Sequence, residues 1–257
     1  MIYAGIDAGS RTIKIVLIDG DKRKVLGSGV ADQGVKQALL AAQLFDKVLK
    51  KAGTGCRSVR RTVATGYGRD ALTFADVAVT EITCHAHGVR FQRRDARTIV
   101  DIGGQDSKVI RLDEGGRVTE FVMNDRCAAG TGRFLEIVTE RLGVRLADLG
   151  KLAGRAKRPA VISSTCVVFA DTEIIGLLAA GAAPANIVAG VRKSIATRIA
   201  SMVGRNVNTP VIFTGGVALI PGMANALGLA IGYPVHVPRH PQLTGAMGAA
   251  ILAADAG

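Results

Sequence analysis

The chain contains no tryptophan, and aromatic residues make up only 4% of its 257 residues. Its core must therefore be built from Val, Ile, Leu and Ala, a composition typical of a parallel or mixed sheet covered by helices. Few aromatics also argue against a nucleic-acid partner, because single-stranded bases stack on such side chains. The net charge of +12 comes without a recognition-helix or zinc-finger pattern. We expect no nucleic acid, and an acidic protein partner and a merely solvated basic surface both remain open.

The sequence also lacks a long apolar run. No stretch approaches the roughly 18 residues of a transmembrane helix. The first ten residues, MIYAGIDAGS, form an alternating strand pattern rather than a basic segment followed by an apolar one. We therefore expect a cytoplasmic protein without membrane contact. In that compartment Cys56, Cys84, Cys127 and Cys166 would be metal ligands or inert buried groups rather than disulfide partners.

Two segments of the chain share one pattern, and they span residues 2–19 (IYAGIDAGSRTIKIVLID) and 98–113 (TIVDIGGQDSKVIRLD). Each has an apolar strand ending in Asp-x-Gly, a turn of small residues, and a second strand that carries Lys14 or Lys108. This pattern predicts a hairpin with an acidic, glycine-rich tip. Its recurrence indicates a duplicated α/β domain. We expect two lobes, residues 1–95 and 96–257, each with a sheet flanked by helices.

The remaining periodicities predict the other strands and helices. Further strands are expected near residues 24–31, 61–65, 77–82, 117–123, 161–165, 210–214 and 234–238. Helices are expected near residues 35–52, 84–92, 133–143, 167–180, 184–204, 222–230 and 244–254.

The two hairpin tips have the chemistry of a nucleotide clamp. Glycines let backbone N–H groups approach phosphate oxygens, and Asp7 and Asp101 would hold Mg²⁺ through its water shell. A single Asp-Gly tip is more often only a turn, but two matched tips favour a nucleotide. The tip residues expected to contact it are Gly9, Ser10, Arg11, Thr12, Lys14, Gly103 and Gly104.

A third segment, the strand PVIFT (210–214), runs into a glycine pair. Glycines just beyond a buried strand let a base and ribose lie against the backbone, although an ordinary strand-to-helix loop has the same pattern. The order of two phosphate hairpins and a late glycine pair resembles the actin, hexokinase and Hsp70 ATPases. It therefore predicts their duplicated, ribonuclease H-like two-lobe fold. The late candidates for nucleotide binding are Gly215, Gly216, Val217 and Gln242.

Two cysteines of the second lobe lie at junctions before predicted helices. Cys127 is in NDRCAAGTGRF and Cys166 is in SSTCVVFADTE, and helix N-termini favour anionic groups such as thiolates. A [4Fe–4S] cluster needs four thiolates, so two cysteines per chain supply half, and a symmetric dimer would supply the rest. By spacing alone, without a Cys-x-x-Cys pair, two inert buried cysteines are the better interpretation.

The whole chain resembles the activators, or component A, of 2-hydroxyacyl-CoA dehydratases, in the wider family that includes the ATPase subunits of benzoyl-CoA reductase. The stretches that carry the resemblance are GIDAGSRTIK, ATGYGR, DIGGQDSKVI, NDRCAAGTGRF, ISSTCVVFA, TGGVA and GAMGAA. The resemblance implies a homodimer with one [4Fe–4S] cluster held by Cys127 and Cys166 of both chains. It implies binding of ATP or ADP with Mg²⁺, with Gly130 and Gly132 among the contacts. It also implies ATP-driven transfer of one electron, supplied by ferredoxin or flavodoxin, to an iron–sulfur dehydratase or reductase.

Other residues receive plainer interpretations. Gln105 occupies a tip position where hydrolysing proteins of this fold often carry an acidic group, and an amide that only orients water would suit a slow, partner-gated ATPase. Cys56 and Cys84 are interpreted as structural. His85 and His87 are interpreted as packing or surface residues, because residues i and i+2 of a helix do not face together.

Two alternatives stay open. The chain could be the ATPase subunit of a benzoyl-CoA reductase, or a cluster-free small-molecule kinase of the same fold.

Overall fold

The computed structural model describes residues 1–164 and 166–257, and these form two compact units. The first unit comprises residues 1–96, 112–119 and 238–257, and the second comprises residues 97–111 and 120–237. The predicted lobes placed residues 96–257 together, whereas the structure groups the last twenty residues with the first unit. The reason is that the C-terminal helix packs on the first strand of the chain.

The described residues form ten β-strands and eight α-helices. The strands are β1 (Ile2–Ala8), β2 (Thr12–Asp19), β3 (Lys24–Asp32), β4 (Val59–Thr65), β5 (Val77–Ala78), β6 (Thr98–Ile102), β7 (Ser107–Leu112), β8 (Val118–Asn124), β9 (Val211–Thr214) and β10 (Val235–His236). The helices are α1 (Gln37–Lys51), α2 (Glu81–Gln92), α3 (Gly132–Leu142), α4 (Leu149–Ala153), α5 (Val167–Ala179), α6 (Pro184–Val203), α7 (Met223–Ile231) and α8 (Thr244–Asp255). Each helix in this part of the chain is too short or too polar to span a bilayer.

The two sheets have the same topology. The first runs β3-β2-β1-β4-β5 and the second runs β8-β7-β6-β9-β10. In each sheet the central strand, β1 or β6, pairs antiparallel with the strand that follows it in the chain, β2 or β7. On its other side it pairs parallel with β4 or β9. This repetition confirms the predicted two-lobe α/β fold.

The first sheet is covered on both faces. Because side chains alternate along a strand, Ile13, Ile15 and Leu17 of β2 pack toward α1. Val16 and Ile18 of the same strand pack with α8. Helix α1 buries one stripe of apolar side chains at helical spacing. These are Ala41, Leu44, Phe45, Val48 and Leu49.

Helices α2 and α8 approach each other unusually closely because glycines lie at their crossing. A Cβ added to Gly248 would lie 1.7 Å from the carbonyl oxygen of Cys84, and one added to Gly88 would lie 1.9 Å from that of Thr244. Helix α8 also needs Gly5 of β1, where a Cβ would lie 2.0 Å from the oxygen of Ala246. The small-residue segment TGAMGAA therefore fits the C-terminal helix tightly against both α2 and the sheet.

The second unit has one large core. Apolar residues of β6, β7 and β9 pack there with helices α3 to α7, and Phe134, Ile195 and Phe213 are fully buried at its centre. The apolar run of β9 is buried along its whole length, as expected for a central parallel strand.

Three predicted strands need correction. Residues 161–164 form no strand, and Thr165, the last residue of that prediction, lies outside the described residues. The backbone N–H groups of Ser163 and Ser164 bond to the Glu173 carboxylate instead of a neighbouring strand. The strand expected at 77–82 ends at Ala78 because Thr80 caps α2. The strand expected at 234–238 is reduced to Val235–His236.

We predict that Gly248→Ala destabilises the protein by about 3 kcal/mol, because a methyl group there forces α2 and α8 apart. The melting temperature should fall by roughly 6–12 °C, as judged from the entropy of unfolding of a chain of this size. The matched control is Gly176→Ala on α5, where an added Cβ meets no atom within 4 Å. The control should melt at or slightly above the native temperature, because alanine favours helix. Equal melting temperatures for the two variants would contradict the close crossing.

Candidate functional site

Each hairpin tip carries a buried carboxylate paired with a lysine from the facing strand. In the first tip (residues 7–12), Asp7 lies opposite Lys14 in the β1–β2 register, with Oδ2 3.2 Å from Nζ. In the second tip (residues 101–106), Asp101 lies opposite Lys108 in the β6–β7 register, with 3.6 Å between the corresponding atoms. The same hydrogen bond closes both turns, from Gly9 N–H to Thr12 and from Gly103 N–H to Asp106. The repeated sequence pattern thus produces the same local structure twice.

The backbone approaches the first tip closely. A Cβ on Gly9 would lie 2.8 Å from the Lys14 ammonium nitrogen. Gly66 has a φ of +90°, and a Cβ there would lie 2.5 Å from Oδ1 of Asp7. Ser10 and Thr12 are half-buried, whereas Arg11 is exposed at the end of the turn. The N–H, hydroxyl and ammonium groups at this tip are donors that suit phosphate oxygens.

The second tip is more heavily charged and more buried. Lys108 is only 2% exposed, and its Nζ lies 2.8 Å from Asp106 in addition to its contact with Asp101. Thr214, at the end of β9, donates a 2.8 Å hydrogen bond to Oδ1 of Asp101. Asp106 and Thr214 were not among the sequence candidates. The duplication could have indicated Asp106, because Asp106 follows Asp101 at the same interval at which Thr12 follows Asp7.

The first turn of α3 holds the second tip by its backbone. Gly132 N–H donates to the oxygen of Gly103 at 2.9 Å, and Arg133 N–H donates to that of Gly104 at 2.8 Å. Gly132 is tightly enclosed, because a Cβ would lie 3.0 Å from the oxygen of Gly103 and 3.4 Å from Val217. The structure therefore brings the candidates Gly103, Gly104, Gly132 and Val217 together in the second unit.

The other candidates of the second unit lie around this point. Gly215 has a φ of +88°, and a Cβ there would lie 2.2 Å from the oxygen of Ile102, so β9 and β6 approach through that glycine. Gly216 begins the 3₁₀ turn that contains Val217. Gly130 packs against Arg198, and Gln105 is exposed at the tip. In the first unit, Gln242 is half-buried in the turn Pro241–Leu243 that leads into α8.

Cys127 is fixed by Asn124 and faces a cation. The Asn124 amide accepts from Cys127 N–H at 3.1 Å and donates to its carbonyl at 2.7 Å. The same amide reaches Ser107 Oγ of β7 at 3.4 Å, so one side chain joins the second tip's strand to Cys127. Arg198 donates to the Cys127 sulfur at 3.7 Å. The Cys127 sulfur therefore lies beside a guanidinium group.

Cys166 is exposed directly before α5, and the loop that precedes it is held by Glu173 of that helix. Ser163 donates through its N–H and its hydroxyl, at 2.9 and 2.8 Å, and Ser164 donates through its N–H at 3.0 Å. Burial alone would raise the pKa of the Glu173 carboxyl, but these hydrogen bonds outweigh it and lower the pKa to about 2. Beside Cys166, Val168 and Phe169 of α5 are exposed by 72% and 69%.

The donor set fits half of an iron–sulfur cluster. Cys127 is half-buried and Cys166 is exposed, each before a helical segment, and thiolates are the ligands of such clusters. Among the described residues, no group of three His, Cys, Asp or Glu side chains could hold a metal ion. These two cysteines supply at most two of the four thiolates that a [4Fe–4S] cluster needs. Cys84 is unsuited as a ligand, because burial raises the pKa of its thiol to about 12.

Comparison with known proteins gives consistent results over the whole chain. A family model, the BadF/BadG/BcrA/BcrD ATPase family, matches residues 4–253. The activator of lactoyl-CoA dehydratase from Anaerotignum propionicum is 42% identical, over 100% of this chain and 98% of the relative. A solved structure of the activator of the 2-hydroxyisocaproyl-CoA dehydratase from Clostridium difficile with bound ADPNP is 40% identical with a TM-score of 0.95, covering 100% of this chain and 95% of that one.

A ROK family glucokinase from Streptomyces griseus, solved with glucose and AMPPNP, shares the fold alone. It is 13% identical with a TM-score of 0.61, covering 99% of this chain and 100% of that one.

We predict that Lys108→Met lowers the free energy of unfolding by about 3–5 kcal/mol, because it leaves two carboxylates at the second tip without their shared ammonium group. Urea unfolding followed by circular dichroism measures this change. Lys151→Met on α4, which removes an exposed ammonium group, is the control and should stay within about 0.5 kcal/mol of the native protein. A loss below about 1 kcal/mol for Lys108→Met would show that the buried pair is not structurally important.

A second prediction concerns the Glu173 contacts. The folded-state pKa lies below the ordinary value, so these contacts stabilise the protein fully above about pH 4.5, and the stabilisation is lost as the pH falls toward 2. The difference in unfolding free energy between the native protein and Glu173→Gln should be largest near pH 7 and shrink steadily below pH 4.5. Glu140→Gln, at an exposed position of α3, should show a much smaller difference. A Glu173→Gln difference independent of pH would refute the assignment.

Proposed function

The chain belongs to the BadF/BadG/BcrA/BcrD ATPase family, and from that premise we propose that it is the ATP-dependent activator of a 2-hydroxyacyl-CoA dehydratase. In this proposal it donates one electron from a [4Fe–4S] cluster shared by two copies of the chain. Ferredoxin or flavodoxin restores the electron, and all components are cytoplasmic. The similarity over the full chain to an activator of lactoyl-CoA dehydratase supports the choice of partner.

The observation that carries the proposal is the pair of thiols in the second unit. Cys127 and Cys166 each lie directly before a helical segment, and Arg198 donates to the sulfur of Cys127. A kinase that transfers phosphate to a small molecule needs a base and a substrate pocket and has no use for this arrangement. Soft thiolates at positive helix ends suit an iron–sulfur cluster with a net negative charge.

We assign the same tasks to the matching residues of each tip. The aspartate of a tip, Asp7 or Asp101, would bind hydrated Mg²⁺, an ion that keeps several waters and prefers carboxylate oxygen. The glycine, Gly9 or Gly103, would let the backbone approach a phosphate. The lysine, Lys14 or Lys108, fixes the position of the carboxylate by its ion pair. The similarity to a structure with bound ADPNP supports nucleotide binding here.

Hydrolysis in this proposal is slow. Gln105 is exposed at the second tip and can orient an attacking water, but an amide cannot accept its proton. A partner protein that completes the site would then control the rate, so that ATP is not consumed without electron transfer.

The link between nucleotide and thiol runs through contacts inside the second unit. The first turn of α3 bonds to Gly103 and Gly104, and Asn124 bonds both to Ser107 and to Cys127. A phosphate that moves the second tip must therefore strain or move the segment from 124 to 133. When bound, the cluster supplies a low-potential electron, and hydrogen bonds to its sulfur atoms and its exposure to solvent set that potential.

The test is the iron content of anaerobically purified protein. We expect a brown dimer with about four iron and four sulfide ions and broad absorption near 400 nm. Cys127→Ser and Cys166→Ser should each lose the iron and the colour, because each removes half of the ligands. Cys56→Ser, which changes an exposed cysteine elsewhere in the chain, should keep both.

The opposite results are equally clear. A colourless native protein that phosphorylates a small molecule would contradict the proposal, and so would serine variants that retain full iron content.

A further inference from the structure

His85 is buried in the first unit, and its ring is held by the start of α8. It is only 6% exposed on α2, and its Nδ1 lies 3.0 Å from Oγ1 of Thr244, a residue 159 positions away in sequence. Thr244 is fully buried, and its hydroxyl also contacts the carbonyl of Pro241 at 3.3 Å. A buried imidazole nitrogen needs a hydrogen-bond partner, and Thr244 supplies it at Nδ1, which fixes the orientation of the ring.

The Nε2 side of the ring lies near the Asp7 carboxylate. A Cβ added to Gly245 would lie 2.9 Å from Oδ2 of Asp7 and 3.4 Å from Nε2 of His85. Both polar atoms therefore lie beside Gly245, and a side chain at that position would collide with Oδ2 of Asp7. The close crossing of α2 and α8, which Gly88 and Gly248 permit, brings the ring to this position.

Asp7 is enclosed on its other sides as well. Its Oδ1 faces Gly66 at the end of β4, and its Oδ2 lies 3.2 Å from Lys14. The Asp7 side chain is only 9% exposed. It is thus surrounded by β4, Lys14 and the α2–α8 pair.

We propose that His85 is a positioning residue for Asp7. Thr244 accepts from Nδ1–H, since its own hydroxyl hydrogen is donated to Pro241. Nε2 and the carboxylate then share one bridging water, which fixes the carboxylate in the orientation that holds hydrated Mg²⁺. This inference rests on the proposed function in one respect, the assignment of Asp7 to the Mg²⁺ site. Groups that orient metal-binding carboxylates typically contribute 10- to 100-fold to metal affinity or activity.

The experiment measures how the binding of mant-ADP, a fluorescent ADP analogue, depends on Mg²⁺ concentration. We expect His85→Asn to raise, by about 10- to 100-fold, the Mg²⁺ concentration at which the enhancement of mant-ADP binding is half-maximal. The binding of mant-ADP in EDTA should stay unchanged. His85→Gln, whose amide reaches the position of Nε2, should remain closer to the native value. Asp7→Asn should lose most of the Mg²⁺ enhancement.

Two further variants make the test specific. His87→Asn makes the same change at an exposed position of the same helix and should leave the Mg²⁺ requirement unchanged. Thr244→Val keeps the shape of the buried residue but removes the anchor of the ring, and it should raise the Mg²⁺ requirement. If His85→Asn does not fold, the result for Thr244→Val decides between the outcomes.

The inference is overturned if His85→Asn or Thr244→Val has a native Mg²⁺ requirement. It is also overturned if the variants weaken mant-ADP binding equally with and without Mg²⁺, since that is the mark of a purely structural role. Native protein whose mant-ADP binding ignores Mg²⁺ would instead remove the proposed Mg²⁺ site itself, and the inference with it.

Discussion

The buried pair of an aspartate and a lysine at each hairpin tip is the interaction on which the rest of the structure depends. Ionised groups are costly to bury unless they are paired and hydrogen-bonded, and here each pair is fixed by strand register, Asp7 with Lys14 and Asp101 with Lys108. Each pair fixes its carboxylate near the end of the central strand of its sheet. The surrounding glycines and the helices that begin beside each tip then shape the backbone around these charges.

The second unit adds a connection that a nucleotide site alone would not require. Asn124 and the first turn of α3 tie the second tip to the segment of Cys127, while Glu173 ties the loop before Cys166 to α5. Hydrogen bonds thus hold the backbone of Cys127 and of Ser163 and Ser164 before Cys166. The Cys127 side chain is half-buried and that of Cys166 is exposed. This combination suits a redox group whose surroundings respond to the nucleotide, which is the central feature of the proposed activator.

Much of the fold was predictable because it is encoded locally. Alternating apolar residues predicted β1, β2, β6 and β7 within a few residues, and the apolar stripe of α1 predicted that helix. The repeated Asp-x-Gly pattern predicted the duplication. The errors arose where distant partners decide the structure. Residues 161–164 are not a strand because a helix carboxylate takes their N–H groups, and residues 238–257 join the first unit because glycines let α8 pack there. The position of His85 near Asp7 could not be predicted, because only the tertiary fold brings α2 there.

Native mass spectrometry of the anaerobically purified protein is the best test of whether two chains share one cluster. We expect a dimer whose mass exceeds that of two chains by a single [4Fe–4S] unit, with no iron on the monomer. A dimer without iron, or monomers that each carry a complete cluster, would contradict it.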